Sequence, residues 1–292
     1  MDSNRDRDRI QPTILNLVTM NQNNHSDRVL TSGQTTSNKI IIAHYHLFKN
    51  AGTSVDTILK QNFGSAWQEI EFKKIPQKSN YRLVEDWLNR HREISAFSSH
   101  TAMFPLPTVV NTTFIPIVFL RHPIDRLWSV YKFERQHKKV LNHSIKIAQK
   151  YDFAGYLNYH LDRRGDRSCR NFQTYRFSFL DNGLNLSELE RALNGLNSLP
   201  IVGIVAEFDR SMQYYAEAIA KHYPSFKAKS VRKNTTSHQN LALAEKLDTI
   251  KTSLDTRTYQ RLLDANQDDL DLYEAARKKL YAYQLEQYST VK

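Results

Sequence analysis

The sequence predicts an α/β protein with a doubly wound parallel sheet flanked by helices, and three observations support this fold class. Short apolar runs of strand length alternate with segments of helical spacing. The runs are continuous rather than alternating with polar residues, which is typical of parallel strands covered on both faces. At two of them the chain passes from strand to helix through a tight turn. In such sheets, ligands bind at the carboxyl ends of the strands.

Four apolar runs predict the strands, and the segments that follow them predict helices. The strands are expected at residues 39–48, 93–100, 113–120 and 199–208. The helices are expected at residues 51–63, 121–133, 140–165, 209–223, 242–250 and 256–288. Pro123 fits the first turn of its helix, and Asp209 is a candidate N-cap.

The composition limits the number of domains in the chain and the kinds of partner that it can bind. Its 292 residues are enough for one large domain with a substantial core. The polar residues 1–37 predict a disordered tail, and residues 38–292 predict a single domain with a helical C-terminal part. The formal net charge of +11 favours anionic partners, such as nucleotide phosphates or acidic polysaccharides. We expect no nucleic-acid partner.

Cysteine content and hydropathy predict the location. The single cysteine, Cys169, excludes an intramolecular disulfide and suits a reducing compartment. No apolar run is long enough to span a bilayer, and the first residues lack a hydrophobic signal core. We therefore expect no transmembrane segment and a cytoplasmic protein. A lumenal domain lacking its membrane anchor is the alternative.

The loop after the first strand has the build of a phosphate cradle. Backbone N–H groups at the start of a helix point at a bound anion, and the helix dipole adds about half a positive charge. In the segment KNAGTS, Gly52 allows close approach of the backbone, Thr53 and Ser54 supply hydroxyls, and Lys49 supplies a full charge. A Walker A loop would have a lysine where Thr53 stands. The pattern therefore disfavours ATP hydrolysis.

The end of the third predicted strand offers a second anion site. Arg121 stands at the strand end, where a guanidinium can form paired hydrogen bonds with a phosphate. Ser129 follows about two helical turns later. We interpret Arg126 as a surface residue in an ion pair. Two neighbouring anion sites predict a ligand with two separated phosphate groups.

These two segments resemble motifs of the Golgi-type carbohydrate sulfotransferases and their bacterial relatives. HLFKNAGTSV is similar to the HIPKTGGTS loop of that family, and FLRHPIDRLWSVY is similar to LRDPVERFLSHY. Weaker similarities follow in SSHTAMF, RNFQTYRFSFL, IVGIVAEFDRSM and VRKNTT. The resemblance implies the sulfotransferase fold, a P-loop-like strand, loop and helix, and 3′-phosphoadenosine 5′-phosphosulfate (PAPS) as sulfuryl donor.

The resemblance also implies which residues bind the donor. The loop from Lys49 to Ser54 would hold the 5′-phosphosulfate, and Arg121 with Ser129 would hold the 3′-phosphate. The cofactor-binding residues carried over are Lys49, Asn50, Ala51, Gly52, Thr53, Ser54, Arg121, Ser129, Arg232, Lys233 and Asn234. The chain departs from the family pattern at Phe48, Asn50, His122 and Tyr175.

Sulfuryl transfer requires a cation on the leaving phosphate and a base for the acceptor hydroxyl. Lys49 is the expected cation and His100, at the end of the second predicted strand, the expected base. Glu69, Glu71 and Asp86 remain alternative bases. We predict no metal, because the transferred sulfuryl carries less charge than a phosphoryl group. His44 and His46 share a strand face, but we identify no third metal ligand and expect them to pack.

The sequence therefore predicts a PAPS-dependent sulfotransferase that acts on a hydroxyl of a sugar or glycan, with acidic polysaccharides among the candidate acceptors. Two alternatives remain. One is a nucleotide or metabolite kinase on a related scaffold, against which the absent glycine–lysine pair counts. The other is a non-catalytic protein that binds polyanions, which the presence of both Lys49 and His100 disfavours.

Overall fold

The computed structural model describes residues 38–73, 79–139, 142–228 and 242–290. The predicted tail, residues 1–37, lies outside this part of the chain. So do three predicted nucleotide contacts, Arg232, Lys233 and Asn234. Their assignments remain predictions.

A parallel sheet forms the centre of the protein. Its four strands are β1 (Lys39–Tyr45), β2 (Trp67–Glu69), β3 (Ala96–Ser99) and β4 (Thr112–Ile117). They are ordered β2-β3-β1-β4, and every neighbouring pair is parallel. Two short parallel strands, β5 (Phe119–Leu120) and β6 (Gly203–Ile204), form a second sheet. The predicted parallel α/β fold is confirmed.

Helices flank this sheet. They are α1 (Gly52–Phe63), α2 (Asn80–Arg90), α3 (Pro123–Gln136), α4 (His143–Lys150), α5 (Phe153–Leu161), α6 (Phe172–Phe177), α7 (Glu188–Ser198), α8 (Phe208–Ala220), α9 (Leu243–Thr252), α10 (Thr256–Asp264) and α11 (Gln267–Thr290). None of the helices described is both long and apolar enough to cross a membrane.

The position of β1 determines where a ligand can bind. It is buried over its last five residues, as its continuous apolar run predicts, and it pairs with β3 on one side and β4 on the other. From β1 the chain runs to β2 and β3 on one side and then crosses to β4 on the other side. Such a reversal of strand order opens a crevice at the carboxyl ends of the strands. We call the region between the ends of β1 and β5 the strand-end crevice.

Several element boundaries differ from the predictions. The third predicted strand is interrupted at Val118. Its N–H donates to the hydroxyl of Tyr215, and its carbonyl accepts from that hydroxyl and from the N–H of Gly203 in β6. The predicted helix over 140–165 is divided, because Asp152 caps the N-terminus of α5 with a 2.8 Å bond from the N–H of Gly155. The predicted N-cap Asp209 was wrong, since the structure puts Glu207 at that position and Asp209 in the first turn of α8.

Two buried apolar clusters hold these layers together. The larger one surrounds the sheet, and the smaller one joins α3, α4, α5 and α10. Arg126 lies in the interior with 1% of its surface exposed, so the interpretation as a surface ion pair was wrong. Its guanidinium packs 4.4 Å from the centre of the Phe172 ring and donates to the carbonyl of Ser168.

Candidate functional site

The loop between β1 and α1 has a backbone conformation that exposes its N–H groups. Lys49 and Ala51 have positive φ angles of 66° and 64°, and Asn50 between them does not. Alternation of this kind turns successive N–H groups toward one side, which produces a concave anion site. Helix α1 begins without a capping side chain and without an acidic residue in its first turn. The positive end of the helix is therefore not neutralised by its own residues.

Several donors of this loop have no acceptor among the described residues. The N–H groups of Ala51, Gly52 and Thr53 donate to no described backbone or side-chain acceptor. The hydroxyl groups of Thr53 and Ser54 likewise form no hydrogen bond within the described part of the chain. Thr53 is exposed and Ser54 half-buried. Unpaired donors that converge on a helix N-terminus can bind phosphate or sulfate oxygens.

Gly52 is required for packing as well as for approach to a ligand. A Cβ atom at this position would lie 1.9 Å from Cδ2 and Nε2 of His46. The imidazole of His46 thus fills the space directly beneath the loop, and only glycine leaves room for it. The sequence suggested the glycine for contact with phosphate, but the structure adds this second reason.

A polar brace joins the loop to the end of β5. The side-chain amide of Asn50 donates to the carbonyl of Phe119 at 2.7 Å and to Oε1 of Gln173 at 2.8 Å. Gln173 also accepts from the N–H of Arg121 and donates to its carbonyl. Asn50 therefore uses its side-chain N–H groups within the protein, and its own N–H donates to Leu47. Its expected contact with a cofactor remains a prediction.

Arg121 links the two predicted anion sites directly. Its Nε and Nη2 donate to the two carboxylate oxygens of Asp125 at 2.6 and 2.9 Å. Its Nη1 donates to the carbonyl oxygen of Lys49 at 2.9 Å. A guanidinium has five N–H donors, so about two remain for a ligand.

Three cations meet at the strand-end crevice. Burial and the charges of Arg121 and Lys132 lower the pKa of Lys49 below its ordinary value. Burial and Arg121 likewise lower the pKa of Lys132. Such mutual repulsion is relieved when an anion binds among the cations. The sequence analysis missed Lys132, although its spacing from Asp125 and Ser129 puts all three on one face of α3.

The expected 3′-phosphate ligand Ser129 is half-buried on α3. Its hydroxyl forms no hydrogen bond to a residue that the structure describes, so it can bond to a ligand. Ser129 precedes Lys132 by one helical turn.

His100 lies on the other side of the loop, one residue beyond β3. Its Nδ1 is 3.1 Å from the carbonyl oxygen of His46, and its ring lies tilted against the His46 ring with centres 3.7 Å apart. A carbonyl can only accept, so Nδ1 carries the proton and Nε2 of the neutral ring carries a lone pair. Burial and the neighbouring His46 lower the pKa of His100 below its ordinary value.

Glu71 supports the turn that contains His100. Its carboxylate accepts from the N–H of His100 at 3.0 Å and from the hydroxyl of Thr101 at 2.6 Å. One oxygen each of Glu69 and Glu71 lies within 4.8 Å of a ring nitrogen of His100. The third alternative base, Asp86, is exposed on α2.

His44 and His46 share a carboxylate that the sequence analysis missed. Asp56, on α1, lies 2.8 Å from Nδ1 of His44 and 3.1 Å from Nδ1 of His46. Burial opposes the ionisation of Asp56, but the hydrogen bond to His44 and the close contact with His46 outweigh burial and hold its pKa well below its usual range. The statement that no third potential ligand accompanies them was therefore wrong.

Comparison with known sequences assigns the family. The sequence pattern described as "Sulfotransferase family" matches residues 34–275 of the chain. The chain belongs to the sulfotransferase family. An uncharacterised protein of Archaeoglobus fulgidus is 36% identical to this sulfotransferase-family protein over 242 residues. That match covers 81% of this chain and 96% of the archaeal protein.

Membership of this family suggests that the protein is a transferase and supports sulfuryl transfer in general. Within the structure, the residues expected at the two phosphate groups meet at one crevice, with Lys49 and Arg121 in contact through the carbonyl of Lys49. His100 adjoins the same loop through His46.

The residues that depart from the family pattern have identifiable packing roles. Phe48 lies edge-on to Phe133, with ring centres 5.6 Å apart. His122 lies edge-on to Tyr273 at 5.4 Å. Tyr175 stands where the family motif has arginine, and the adjacent Arg176 donates to the carbonyl of Ala102 at 2.7 Å and to that of His100 at 3.3 Å. The protein thus has an arginine beside the His100 turn, one position later than the motif suggests.

Proposed function

We propose that this protein is a PAPS-dependent sulfotransferase that moves a sulfuryl group to a hydroxyl of a sugar or glycan. One observation carries the proposal. The ends of β1 and β5 meet through the Arg121–Lys49 contact, and His100, whose Nε2 has no hydrogen-bond partner among the described residues, adjoins the same loop.

The residues of the crevice fit a nucleotide with phosphate groups at two positions. The unpaired N–H groups of Ala51, Gly52 and Thr53 match the oxygens of a 5′-phosphosulfate. Arg121, Ser129 and Lys132 offer charges and a hydroxyl to a 3′-phosphate. Among the described residues, Asp125 is the carboxylate that pairs with this cluster, and it pairs with Arg121.

Lys49 is proposed to stabilise the leaving phosphate. Bound PAPS would supply a sulfuryl group joined to a phosphate through a bridging oxygen. The Lys49 ammonium would offset the negative charge that develops on that oxygen as the bond breaks. A positioned ammonium can take the part that Mg²⁺ takes in phosphoryl transfer, which supports the prediction that no metal is required.

His100 is proposed to accept the proton of the acceptor hydroxyl. Its Nδ1–H is fixed on the carbonyl of His46, so the lone pair of Nε2 is the site that receives the proton. The lowered pKa keeps the ring neutral at physiological pH, as a base must be. We propose a single in-line transfer in which the protein forms no covalent intermediate.

The acceptor class rests on the resemblance to carbohydrate sulfotransferases and on charge. The net charge of +11 favours an acidic glycan. The test is transfer of label from ³⁵S-PAPS to a panel of neutral sugars, acidic glycans, small alcohols and phenols. The proposal expects label on a sugar or glycan and its loss in Lys49→Ala. Transfer confined to phenols would refute the acceptor class, and no transfer to any acceptor would refute the function.

A further inference from the structure

Phe133 is an exposed aromatic residue that the core does not explain. It lies near the C-terminal end of α3 with 41% of its surface exposed, whereas Leu127, Val130 and Tyr131 of the same helix are buried. Exposure of one apolar side chain is ordinary by itself, so the contacts of this ring are the informative feature.

The ring of Phe133 contacts the lysine that is proposed to act in transfer. Nζ of Lys49 lies 4.5 Å from the ring centre. At this distance the negative face of the ring attracts an ammonium ion. The rings of Phe48 and His137 approach Phe133 edge-on, each at 5.6 Å, and limit its movement.

The ring face offsets a repulsion that otherwise acts on Lys49. The charges of Arg121 and Lys132 disfavour its protonated form, as does partial burial. Lys49 has no ion pair with a residue that the structure describes. Its backbone is held at the other end, by the bond from Arg121 to its carbonyl.

We propose that Phe133 is a positioning residue for Lys49, and that its ring holds the ammonium group protonated at the crevice until an anionic ligand arrives. Phe48, which stands where the family motif has proline, supports that ring. The contact between Phe133 and Lys49 forms without a bound sulfuryl donor, but its role in catalysis rests on the proposed function. Phe133 acts through Lys49 and need not touch the substrate.

The test measures the pKa of Lys49 in the ligand-free protein. Trace acetylation across a pH series, followed by mass spectrometry of the peptide that carries Lys49, gives the titration of this one amine. Phe133→Leu removes the aromatic face but keeps an apolar side chain. We expect it to lower the pKa of Lys49 by about half a unit or more, whereas Phe133→Trp should retain the wild-type value.

The matched control is Tyr151→Leu, which removes an exposed ring from beneath a different lysine. Nζ of Lys150 lies 5.0 Å from the Tyr151 ring. This variant should leave the titration of Lys49 unchanged. If Phe133→Leu fails to fold, Phe133→Met provides the same comparison, with folding checked by circular dichroism.

The outcomes separate this inference from the proposed function. An unchanged Lys49 titration in Phe133→Leu, or an equal shift in Phe133→Trp, would overturn the positioning role. Protection of Lys49 from acetylation by 3′,5′-ADP should accompany the shift. A shift in Phe133→Leu without protection by the nucleotide would support the Phe133 contact and count against the proposed function.

Discussion

Nη1 of Arg121 donates a 2.9 Å hydrogen bond to the carbonyl oxygen of Lys49. One guanidinium therefore supports the backbone of the first proposed anion site, while its own strand end belongs to the second. Asp125 holds the rest of the guanidinium in place, so it is oriented before any ligand binds. The two sites are thus mechanically joined, and a change at Arg121 should affect both.

Replacement of Lys132 should distinguish the binding contributions of the two proposed phosphate sites. Lys132→Ala removes a charge from the 3′ side without breaking a described hydrogen bond to the loop. We expect it to weaken 3′,5′-ADP about tenfold and to leave adenosine 5′-monophosphate nearly unchanged, since one charge-assisted contact contributes about 1.5 kcal/mol or more. Isothermal titration calorimetry measures both affinities.

Arg121→Ala provides the comparison for Lys132. It should weaken 3′,5′-ADP more strongly than Lys132→Ala does, and it should also weaken adenosine 5′-monophosphate because the Lys49 carbonyl loses its donor. Equal losses for both nucleotides in Lys132→Ala would show that Lys132 does not distinguish the 3′-phosphate.

The pH dependence of transfer should report His100. Because its pKa is lowered by burial and His46, the acid limb of kcat/KM should lie below the reference value of 6.5, with activity rising as the ring loses its proton. His100→Asn keeps an N–H that can reach the carbonyl of His46 but removes the base. We expect a loss of about a hundredfold or more in turnover, with 3′,5′-ADP affinity retained.

His91 is the matched control for His100. Its Nδ1 also lies near a backbone carbonyl, that of Trp87 at 2.8 Å. His91→Asn should leave the pH profile unchanged. If His100→Asn reduces nucleotide affinity as much as turnover, His100 has a structural role and Glu69 or Glu71 becomes the better candidate base.

Gly52→Ala should strain the loop against His46. The new Cβ would meet the imidazole at 1.9 Å, so we expect a loss of about 1–3 kcal/mol in the free energy of unfolding and weaker nucleotide binding. His46→Ala in the same chain should relieve part of the strain. Gly165→Ala is the control, because a Cβ there meets nothing within 4 Å. Additive effects of the two substitutions, measured by thermal denaturation, would refute the clash.

Asp56→Asn should lower stability in a pH-dependent way. The pKa of Asp56 is depressed in the folded protein, so its stabilisation is complete above its unfolded value of 3.8 and is lost as the pH falls below it. At neutral pH, we expect the variant to lose about 2–4 kcal/mol of unfolding free energy. The difference from the wild type should shrink below a pH of about 4. Asp86→Asn, at an exposed position, is the control in urea denaturation.

Local patterns predicted the central part of the fold. The apolar run of β1, the glycine turn and the helix after it are continuous in sequence, and Pro123 at the start of α3 is a local signal. Strand β2, and the shortness of β6 within the strand predicted at 199–208, were not predictable in this way. Strand β2 has three residues and β6 has two, and both depend on hydrogen bonds to a neighbouring strand.

Residues of the candidate site were likewise predictable where a local sequence signal exists, and not where a role depends on a contact with another element. Lys49, Arg121 and His100 stand at strand ends and were accessible from sequence. The roles of Gln173, Asp56 and Phe133 were not, because each acts on a residue that is distant in the chain or on another element. Burial of Arg126 was missed for a related reason, since the Phe172 ring that covers it belongs to α6.

Calorimetric titration of the wild-type protein tests the central claim most directly. The account holds that two joined strand ends bind the two phosphate groups of a single nucleotide. It predicts that 3′,5′-ADP binds without metal and more tightly than adenosine 5′-monophosphate, adenosine 3′-monophosphate or ATP with Mg²⁺. Tighter binding of ATP with Mg²⁺, or equal binding of 3′,5′-ADP and the monophosphates, would contradict it.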